Sequence, residues 1–425
     1  MGDPVIVGRE AHSLSRTQID SDALKVLYRL HQSSHLAYLV GGSVRDLLLG
    51  RRPKDFDIGT SAHPYQVKRL FRNCWIIGRR FRLAHIRFGT KTIEVATFRR
   101  LVSADELAAA AAQHAADPGP SAAAQPPDRL AHRDNTFGTA EEDAFRRDFT
   151  INALFYDIGT RAIIDYTGGL EDLRAGVVRS IGDPTERFHE DPVRMLRAVG
   201  LAARLGFRID PPIDAAIVTS RGQIARSAPA RLVEEFYKLL RSGAAEPAFH
   251  MLADRRLLEP IAHELQKGAG PRLWESLTSL DVYRKRFADS PDTLTNAILL
   301  GSLLVPLGYP GRAGRGMPGG DADKGRLSIG LLPLARRDVE RFEQMFSLQR
   351  RLLDMSLSPR AKISLAHRGP FREALTWLDI HGRAPDVVEH WRGFIEAAGA
   401  YEVDTVKQPP RRRRRRRRPR LPRPD

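Results

Sequence analysis

The stretch LVGGSVRDLLLGRRPKDFDIGT, residues 39–60, decides the fold of the first part of this chain. Apolar Ala37–Val40 predicts a strand that ends at Gly41-Gly42, and the spacing of apolar residues after it predicts a helix from near Ser43 to Gly50. Two glycines before a helix let backbone amides approach an anion closely. The segment therefore predicts a strand, a glycine turn suited to phosphate, and a short helix.

Two aspartates follow this turn by about a dozen residues. Asp55 and Asp57 flank Phe56 in a predicted short strand, Phe56–Ile58, and the alternation of side chains places both carboxylates on one face. Adjacent carboxylates repel unless cations separate them, and Mg²⁺ takes oxygen ligands that it shares with substrate phosphates. In isolation, the pair could equally be an exposed Asp-x-Asp at a strand end. Its position after the glycine turn favours a metal site.

Glu94 is the candidate for a third carboxylate. Ala84–Phe88 and Thr92–Thr97 read as strands joined by a turn, and Ile93 and Val95 point away from Glu94 in the second of them. Three such groups could hold two metal ions about 4 Å apart, the arrangement used for phosphoryl transfer. An outward-facing strand glutamate without a role remains the alternative.

Length and composition limit the possible classes of protein. The chain has 425 residues with 42% hydrophobic and 28% charged residues, which predicts two to four folded domains and excludes a wholly disordered or fibrous protein. Its most apolar run, Ala297–Leu307, contains Gly301 and Pro306 and predicts a buried helix instead of a membrane span. Cys74 is the only cysteine, so internal disulfides and cysteine-rich zinc sites are excluded. Met1–Glu10 shows no secretory signal, and we expect a cytoplasmic protein.

Basic charge is concentrated at the carboxyl end. Lys407–Asp425 contains one lysine, ten arginines and one aspartate, a net +10 out of +17 for the whole chain. Flanking prolines and mutual repulsion predict a disordered tail. Such a run can be a merely solvated terminus, but its charge density favours contact with RNA or another polyanion by counterion release. The predicted RNA-binding residues are Arg411, Arg412, Arg413, Arg414, Arg415, Arg416, Arg417 and Arg418.

Four later segments complete a recognisable series. They are IEVATFRR (residues 93–100), RRDFTINAL (146–154), DYTGGLEDL (165–173) and EDPVRMLRA (190–198). With residues 39–60, this series resembles the successive motifs of class II nucleotidyltransferases, the group of bacterial CCA-adding enzymes and poly(A) polymerases. Segments 78–89 and 133–152 are more similar to the polymerase branch.

The resemblance implies an α+β protein: a nucleotidyltransferase head with a small mixed β-sheet, an all-helical neck and body, and the disordered basic tail. It implies two Mg²⁺ ions, for which Mn²⁺ can substitute, held by Asp55 and Asp57, with Glu94 as a further catalytic residue and ATP as substrate. The implied nucleotide-binding residues are Gly41, Gly42, Ser43, Arg45, Arg147, Asp148, Asn152, Asp191, Arg194 and Arg197. The implied domains are a flexible extension (1–22), the head (23–157, with a low-complexity insertion at about 104–132), the neck (158–245), the body (246–406) and the tail (407–425).

Base recognition has two interpretations. From the residues alone, Asp191 before Pro192 is a helix N-cap that forms an i,i+3 ion pair with Arg194. In the family, this carboxylate accepts from an exocyclic amine while the guanidinium donates to the neighbouring ring nitrogen. Adenine and cytosine offer that order of donor and acceptor, whereas guanine and uracil reverse it, so Asp191 and Arg194 would select A or C.

Further positions have a second interpretation that gives them no role in nucleotide binding. The resemblance makes residues 165–172 a flexible element that joins head to neck, but a plain turn fits equally well. Arg231, Glu234 and Glu235 resemble a neck helix that braces the nucleotide pocket, whereas a solvated helix face fits each one singly. Gly200 stands where relatives usually carry arginine, and glycine inside a helix costs about 1 kcal/mol.

The favoured hypothesis is a template-independent, monomeric poly(A) polymerase that extends RNA 3′ ends with ATP. A CCA-adding tRNA nucleotidyltransferase is the first alternative. A non-catalytic RNA-binding protein on a transferase scaffold is the second, although decay would remove carboxylates first and all three are present.

Overall fold

A computed structural model describes residues 3–78, 82–100, 136–287, 293–309 and 328–405. The predicted insertion, the predicted arginine tail and most of the glycine-rich segment 309–325 lie outside these ranges. The chain divides into two compact units, residues 1–269 with 329–333, and residues 270–328 with 334–425. The finer boundaries proposed at residues 157 and 245 remain predictions. No helix in the described ranges is long and apolar enough to cross a bilayer.

The first unit contains a mixed sheet, which confirms the α+β prediction. Within the described residues it has eight strands in the order β1-β8-β7-β2-β3-β6-β5-β4, and only β3 and β6 run parallel. The strands are β1 (Val5–Val7), β2 (Ala37–Val40), β3 (Ile58–Thr60), β4 (Cys74–Ile77), β5 (Leu83–Phe88), β6 (Lys91–Thr97), β7 (Leu154–Asp157) and β8 (Ile163–Asp165).

Helices cover different parts of the two sheet faces. Helices α1 (Ser21–Gln32) and α3 (Pro64–Leu70) pack on the face where Ile86, Ile93 and Val95 are buried. On the other face, a cluster that includes Tyr38, Phe98 and Phe155 forms a core with Ala140 and Ala144 of helix α4, Ala140–Arg146. Because both faces are covered there, β2 is buried at every position. Helix α2 (Gly42–Leu48) follows β2 directly.

Four strands of the sheet, β1, β4, β7 and β8, were not predicted, and the bounds of β3 differ from those predicted. The loose extension predicted for residues 1–22 is wrong, because Val5–Val7 pairs antiparallel with β8 and Leu14 is fully buried. The spacing of apolar residues after Asp148 predicts helices almost throughout, but the chain there is less helical, because β7 and β8 pair with each other and β7 pairs with β2. The predicted strand Phe56–Ile58 lies instead at Ile58–Thr60, where every side chain is buried.

The rest of the first unit is helical apart from short strands. The three-to-four spacing of apolar residues in the sequence predicts helices over residues 193–205 and 230–240. The structure has the first helix with these bounds, and the second begins one residue earlier. Strands β9 (Val177–Val178) and β10 (Arg208–Ile209) pair in parallel. The helices are α5 (Gly169–Ala175), α6 (Pro184–Glu190), α7 (Val193–Leu205), α8 (Pro211–Ser220), α9 (Pro229–Leu240), α10 (Ala245–Asp254) and α11 (His263–Lys267).

Gly200 has a packing role in this helical part. A Cβ atom at Gly200 in α7 would lie 2.4 Å from Leu239 Cδ2 of α9. Leu239 is buried, so the absence of a side chain at Gly200 lets the two helices approach closely. The helix-propensity cost of this glycine is therefore offset by packing.

The second unit is built mainly from helices. Asn296–Leu304 contains the predicted buried apolar helix, and Ala297–Leu304 is buried throughout. Strands β11 (Ser328–Ile329) and β12 (Leu332–Pro333) form a short sheet, most of which belongs to the first unit. The helices are α12 (Pro271–Arg286), α13 (Asn296–Leu304), α14 (Arg336–Ser347), α15 (Gln349–Leu353), α16 (Pro359–Ala366), α17 (Phe371–His381) and α18 (Pro385–Thr405).

Candidate active site

The predicted glycine turn connects β2 to α2. Gly41 has φ +71° and ψ −132°, a conformation that side chains disfavour. A Cβ atom there would also lie 2.9 Å from Arg147 Nη1. Ser43 is buried, and its hydroxyl donates to the Val40 carbonyl at 2.8 Å. Glycine at position 41 thus permits both the turn and the close approach of a guanidinium group.

Arg45 lies buried against this turn. Its Nε donates to Asp46 Oδ1 at 2.8 Å, and its Nη1 donates to the side-chain oxygen of Asn152. Burial lowers the pKa of Arg45, while Asp46 opposes that effect. Arg204 also contacts Asp46, at 3.4 Å. Arg45 therefore supports the turn from within the protein and connects it to the motif around Asn152.

Arg147 is fixed by a residue that the motif analysis missed. Arg147 Nη2 donates to Asp143 Oδ2 at 2.9 Å, and Nη1 donates to the Asn152 carbonyl at 3.1 Å. Asp143 is buried, which opposes its charge, but Arg147 and Arg146 outweigh burial and lower the pKa of Asp143. The i,i+4 spacing of Asp143 and Arg147 on α4 was the available sequence signal.

Asp148 lies at the centre of a second network. Its Oδ1 accepts from Asn152 Nδ2 at 3.2 Å, and its Oδ2 accepts from Arg197 Nη1 at 3.1 Å. Arg197 reaches further, and its Nη2 donates to Asp191 Oδ2 at 2.9 Å. The predicted nucleotide-binding residues from three separate motifs are therefore joined by direct hydrogen bonds.

The three predicted catalytic carboxylates lie together at the edge of β3 and β6. The Val40 amide donates to the Asp57 carbonyl at 3.0 Å, so Asp57 directly precedes β3 beside the glycine turn. Ile58 pairs with Val95, which places Asp57 next to Glu94 across the parallel strands. As predicted, Glu94 points away from the buried side of β6.

Electrostatic repulsion connects these carboxylates. Partial withdrawal from water, followed by the charges of Glu94 and Asp55, raises the pKa of Asp57 to about 6. Asp57 nevertheless remains exposed to solvent, so an ion can reach its carboxylate. A cation at this position would remove the repulsion that raises the pKa.

The donor set fits a divalent ion that takes part of its coordination from elsewhere. No group of three or more acidic, histidine or cysteine side chains in the described ranges could hold a metal by itself. Asp55 and Asp57 are both exposed and offer oxygen atoms. Mg²⁺ commonly uses one or two carboxylates, waters and substrate phosphates, so this pair is sufficient on the protein side.

Asp191 and Arg194 make different contacts from those predicted. Asp191 does not form the i,i+3 ion pair, since its Oδ2 accepts from Arg197 and, at 2.8 Å, from Arg231 Nη2. Arg194 Nη1 instead donates to Glu190 Oε2 at 2.8 Å. Burial opposes the charge of Asp191, but neighbouring arginines outweigh it and lower its pKa.

The neck helix contributes unequally. Arg231 of α9 braces Asp191, as the resemblance implies, whereas Glu234 is 67% exposed and contacts only Lys238 among the ion pairs described. Glu235 is more enclosed, bonds Lys238 at 2.9 Å and acts electrostatically on Arg197. Glu234 therefore lies on a solvated helix face without a role in the site, whereas Arg231 contacts a site residue.

Arg187 connects the motifs and was missed in the sequence. Its buried guanidinium donates to the carbonyls of Arg146 and Arg147, and Nη1 donates to Glu190 Oε2 at 3.0 Å. The Arg187 carbonyl accepts from Arg194 at 2.8 Å. The sequence of residues 184–190 has only the pattern of an ordinary charged helix, so no signal in it predicts these long-range contacts.

Residues 165–172, predicted as a flexible element between head and neck, form a turn with many internal hydrogen bonds. Asp165 is buried and accepts from the amides of Thr167, Gly169 and Leu170. A Cβ atom at Gly169 would lie 2.2 Å from the Thr150 carbonyl oxygen, so glycine is required for this contact. Gly168 adopts the left-handed conformation, with φ +80°.

Comparison with protein families identifies the sheet-containing region. Residues 37–179 match the family described as the poly A polymerase head domain. Residues 206–268 match the family described as a probable RNA and SrmB-binding site of polymerase A. The head thus contains the glycine turn, all three carboxylates and the network around Asn152.

Curated relatives of this head domain fall into two groups. The chain is 48% identical over 256 residues to poly(A) polymerase I of Salmonella typhi, covering 60% of this chain and 53% of the relative. The corresponding protein of Haemophilus influenzae is 40% identical, covering 61% and 55%. A CCA-adding enzyme of Lactobacillus helveticus is 35% identical over 239 residues, covering 56% and 54%. The chain thus spans about half the length of the curated relatives it matches.

Solved structures share the fold over more of the chain. A Bacillus stearothermophilus CCA-adding enzyme in complex with CTP aligns with a TM-score of 0.53 at 24% identity, covering 91% of this chain and 88% of the other. A tRNA nucleotidyltransferase complexed with primer tRNA and an ATP analogue aligns with a TM-score of 0.52 at 21% identity, covering 88% and 99%. At these identities the likeness concerns the fold alone.

Proposed function

We propose that the chain is a template-independent poly(A) polymerase that transfers AMP from ATP to the 3′ hydroxyl of RNA. The observation that carries this proposal is the placement of Asp55, Asp57 and Glu94 beside the Gly41-Gly42 turn in a poly A polymerase head domain. The higher identity to poly(A) polymerases than to a CCA-adding enzyme supports the same choice.

Asp55 and Asp57 would hold the divalent ions, for which we propose Mg²⁺ with Mn²⁺ as a substitute. Bound there, the ions would supply positive charge to the triphosphate and the reacting oxygens. In the reaction, the RNA 3′ oxygen bonds to the α-phosphorus while the bond to the departing pyrophosphate breaks. The hydroxyl proton passes to the carboxylate of Glu94, which lies beside Asp57 across the parallel strands.

The remaining residues position the nucleotide. The backbone at Gly41 and Gly42 permits close approach of phosphate. The buried Ser43 hydroxyl bonds the Val40 carbonyl just before this turn, and the Arg45 guanidinium bonds the Asn152 side chain. The hydrogen bond between Asp148 and Arg197 then fixes the distance between the part of the site that binds the phosphates and the part that binds the base. The residues in this group are Arg147, Asp148, Asn152 and Arg197.

Base selection requires an exchange of partners. Asp191 contacts Arg197 and Arg231, and Arg194 contacts Glu190, so a bound base competes with these internal contacts. Adenine or cytosine can replace them with its amine and ring nitrogen, whereas guanine or uracil would leave buried polar groups unpaired. Recognition by Asp191 and Arg194 therefore excludes G and U but does not separate A from C.

RNA contacts are assigned to two regions. Residues 206–268 match an RNA-binding family region, and the arginines at 411–418 provide dense positive charge. A dense run of cationic side chains binds the phosphates of RNA without requiring a fixed RNA shape, which suits a polymerase with varied substrates. We propose a monomer in a cytoplasmic setting as the working state.

CCA addition is the second candidate, because the 35% identical relative is a CCA-adding enzyme and solved tRNA-processing structures share the fold. One experiment separates the two. The purified chain is incubated with Mg²⁺ and each nucleotide separately, using either a tRNA that lacks its CCA end or an unstructured RNA. Long products from ATP alone on both RNAs support the polymerase. Addition of two C to the tRNA only with CTP alone, and of one further A followed by arrest when ATP is also supplied, supports the alternative.

A further inference from the structure

The open face of β6, β5 and β4 carries a row of side chains that starts at the candidate carboxylates. Strand pairing places Glu94 opposite His85 and His85 opposite Trp75. On the other side, the parallel pairing of β3 with β6 brings Asp57 beside Glu94. Since residues directly opposite each other in a sheet share a face, the four side chains form one continuous row.

The row ends on an exposed tryptophan. Trp75 is 54% exposed and Ile77 is 50% exposed, although both lie on a strand of the sheet. The core does not use them, because the alternate residues Cys74, Ala84 and Ile86 are the buried ones. Large apolar side chains exposed on an edge strand commonly mark an interaction surface.

Neighbouring charges indicate what this surface binds. Arg72 precedes β4, Arg82 precedes β5, and Arg87 lies two positions from His85 on the same face; all three are exposed. Surfaces that bind single-stranded nucleic acid combine cationic side chains for the phosphates with an aromatic ring on which a base stacks. An exposed tryptophan with Arg87 on the same face of the neighbouring strand fits that chemistry better than it fits a broad apolar protein interface.

We propose that Trp75 is a stacking platform for the RNA strand whose 3′ end reacts at the carboxylates. This inference rests on the proposed function. Three strand spacings separate β3 from β4, or about 14 Å, which corresponds to roughly four stacked nucleotides. Trp75 therefore contacts a base a few nucleotides before the 3′ end, while His85, whose Nε2 lies 3.5 Å from Glu94 Oε1, lies between the platform and the carboxylates.

Primer length provides the test. With saturating ATP, Trp75→Ala is expected to raise the KM for oligo(A) of ten nucleotides by roughly 5- to 100-fold, the range for loss of one stacked base, with kcat unchanged. A dinucleotide primer is too short to reach Trp75, so its KM stays at the wild-type value. Trp75→Phe restores stacking and the wild-type KM. The matched control is Tyr65→Ala, which removes an aromatic side chain 64% exposed on α3 and leaves both KM values unchanged.

A second measurement reports stacking directly. Binding of the ten-nucleotide RNA without ATP should quench tryptophan fluorescence in the wild-type chain, and this quenching should be smaller in Trp75→Phe even though binding is retained. An unchanged KM in Trp75→Ala, or an equal rise for both primers, overturns the platform. The platform is also overturned if Trp75→Ala abolishes self-association in sedimentation experiments while RNA binding stays intact. That result would assign the face to contact with a second copy of the chain. If the wild-type chain extends no RNA, the proposed function fails instead, and the fluorescence experiment still decides the platform.

Discussion

Arg197 donates to Asp191 at 2.9 Å and thereby holds the carboxylate that the sequence assigns to base recognition. The same guanidinium bonds Asp148 through its other nitrogen, so one side chain connects the residue proposed for base recognition with a residue proposed for sugar and phosphate binding. This arrangement keeps Asp191 charged and oriented before any nucleotide binds, which reduces the cost of ordering the site.

Asp191→Asn is expected to weaken discrimination between ATP and the nucleotides with reversed donor and acceptor order. The amide loses the charge that its arginine neighbours stabilise, and it can donate as well as accept. We expect the ratio of kcat/KM for ATP to that for UTP to fall by 10-fold or more, since a charged hydrogen bond contributes about 1.5–3 kcal/mol. Glu234→Gln, on the exposed side of α9, is the control. An unchanged ratio in Asp191→Asn would remove this residue from base recognition.

Gly169→Ala should destabilise the head more than Gly200→Ala destabilises the helical part. The new Cβ at residue 169 meets the rigid backbone of Thr150, whereas at residue 200 it meets the end of the Leu239 side chain, which can rotate. We expect losses of roughly 2–3 kcal/mol and less than about 1 kcal/mol respectively, because overpacking is partly offset by alanine's helix propensity. Urea denaturation of each variant gives the free energies of unfolding. The reverse order would contradict the packing account.

His381 makes the stability of the second unit sensitive to acid. Burial lowers its pKa from 6.5 to about 4, and its Nε2 lies 3.0 Å from Ser302 Oγ. Between these pH values the unfolded chain binds a proton that the folded chain does not, so stability falls as pH falls from about 6.5 to 4, by up to about 3 kcal/mol. His381→Gln removes the titration. Between pH 6.5 and 4, the free energy of unfolding should therefore decrease less in His381→Gln than in the wild-type chain. Equal decreases in the two chains would contradict the assignment.

Deleting residues 407–425 removes a net charge of +10 and should flatten the dependence of RNA affinity on salt. Replacing Arg411–Arg418 by glutamine keeps the length and should have a similar effect. Affinity for a fixed RNA is measured between 50 and 300 mM salt, about the range where counterion release is informative. Identical slopes in the full-length and deleted chains would leave the tail without a role in RNA binding.

The sequence was most informative where signals are local. The turn at Gly41-Gly42, the bounds of Val193–Leu205 and the outward direction of Glu94 all follow from spacing within one segment. Strand Val5–Val7 could not be predicted in this way, because three residues carry no periodicity and their partner lies in β8, some 160 positions away. Long-range pairing of this kind is decided by tertiary structure.

The contacts of the site were harder to predict than its members. The i,i+3 spacing suggested an ion pair of Asp191 with Arg194, but Arg231, which is 40 positions away, provides the better geometry. Arg187 was missed for the same reason, because its acceptors are backbone carbonyls of another helix. Residue types can indicate the chemistry of a site, whereas its internal hydrogen bonds depend on the fold.

The account depends most on the claim that Asp55 and Asp57 hold a divalent ion needed for nucleotide transfer. The most direct measurement is titration of Mn²⁺ and ATP into the wild-type chain and into Asp57→Asn, combined with AMP transfer to RNA. We predict that Asp57→Asn loses Mn²⁺ binding and at least about 1,000-fold in transfer rate, while RNA affinity and the unfolding midpoint are retained. Undiminished ion binding or transfer in this variant would contradict the central claim.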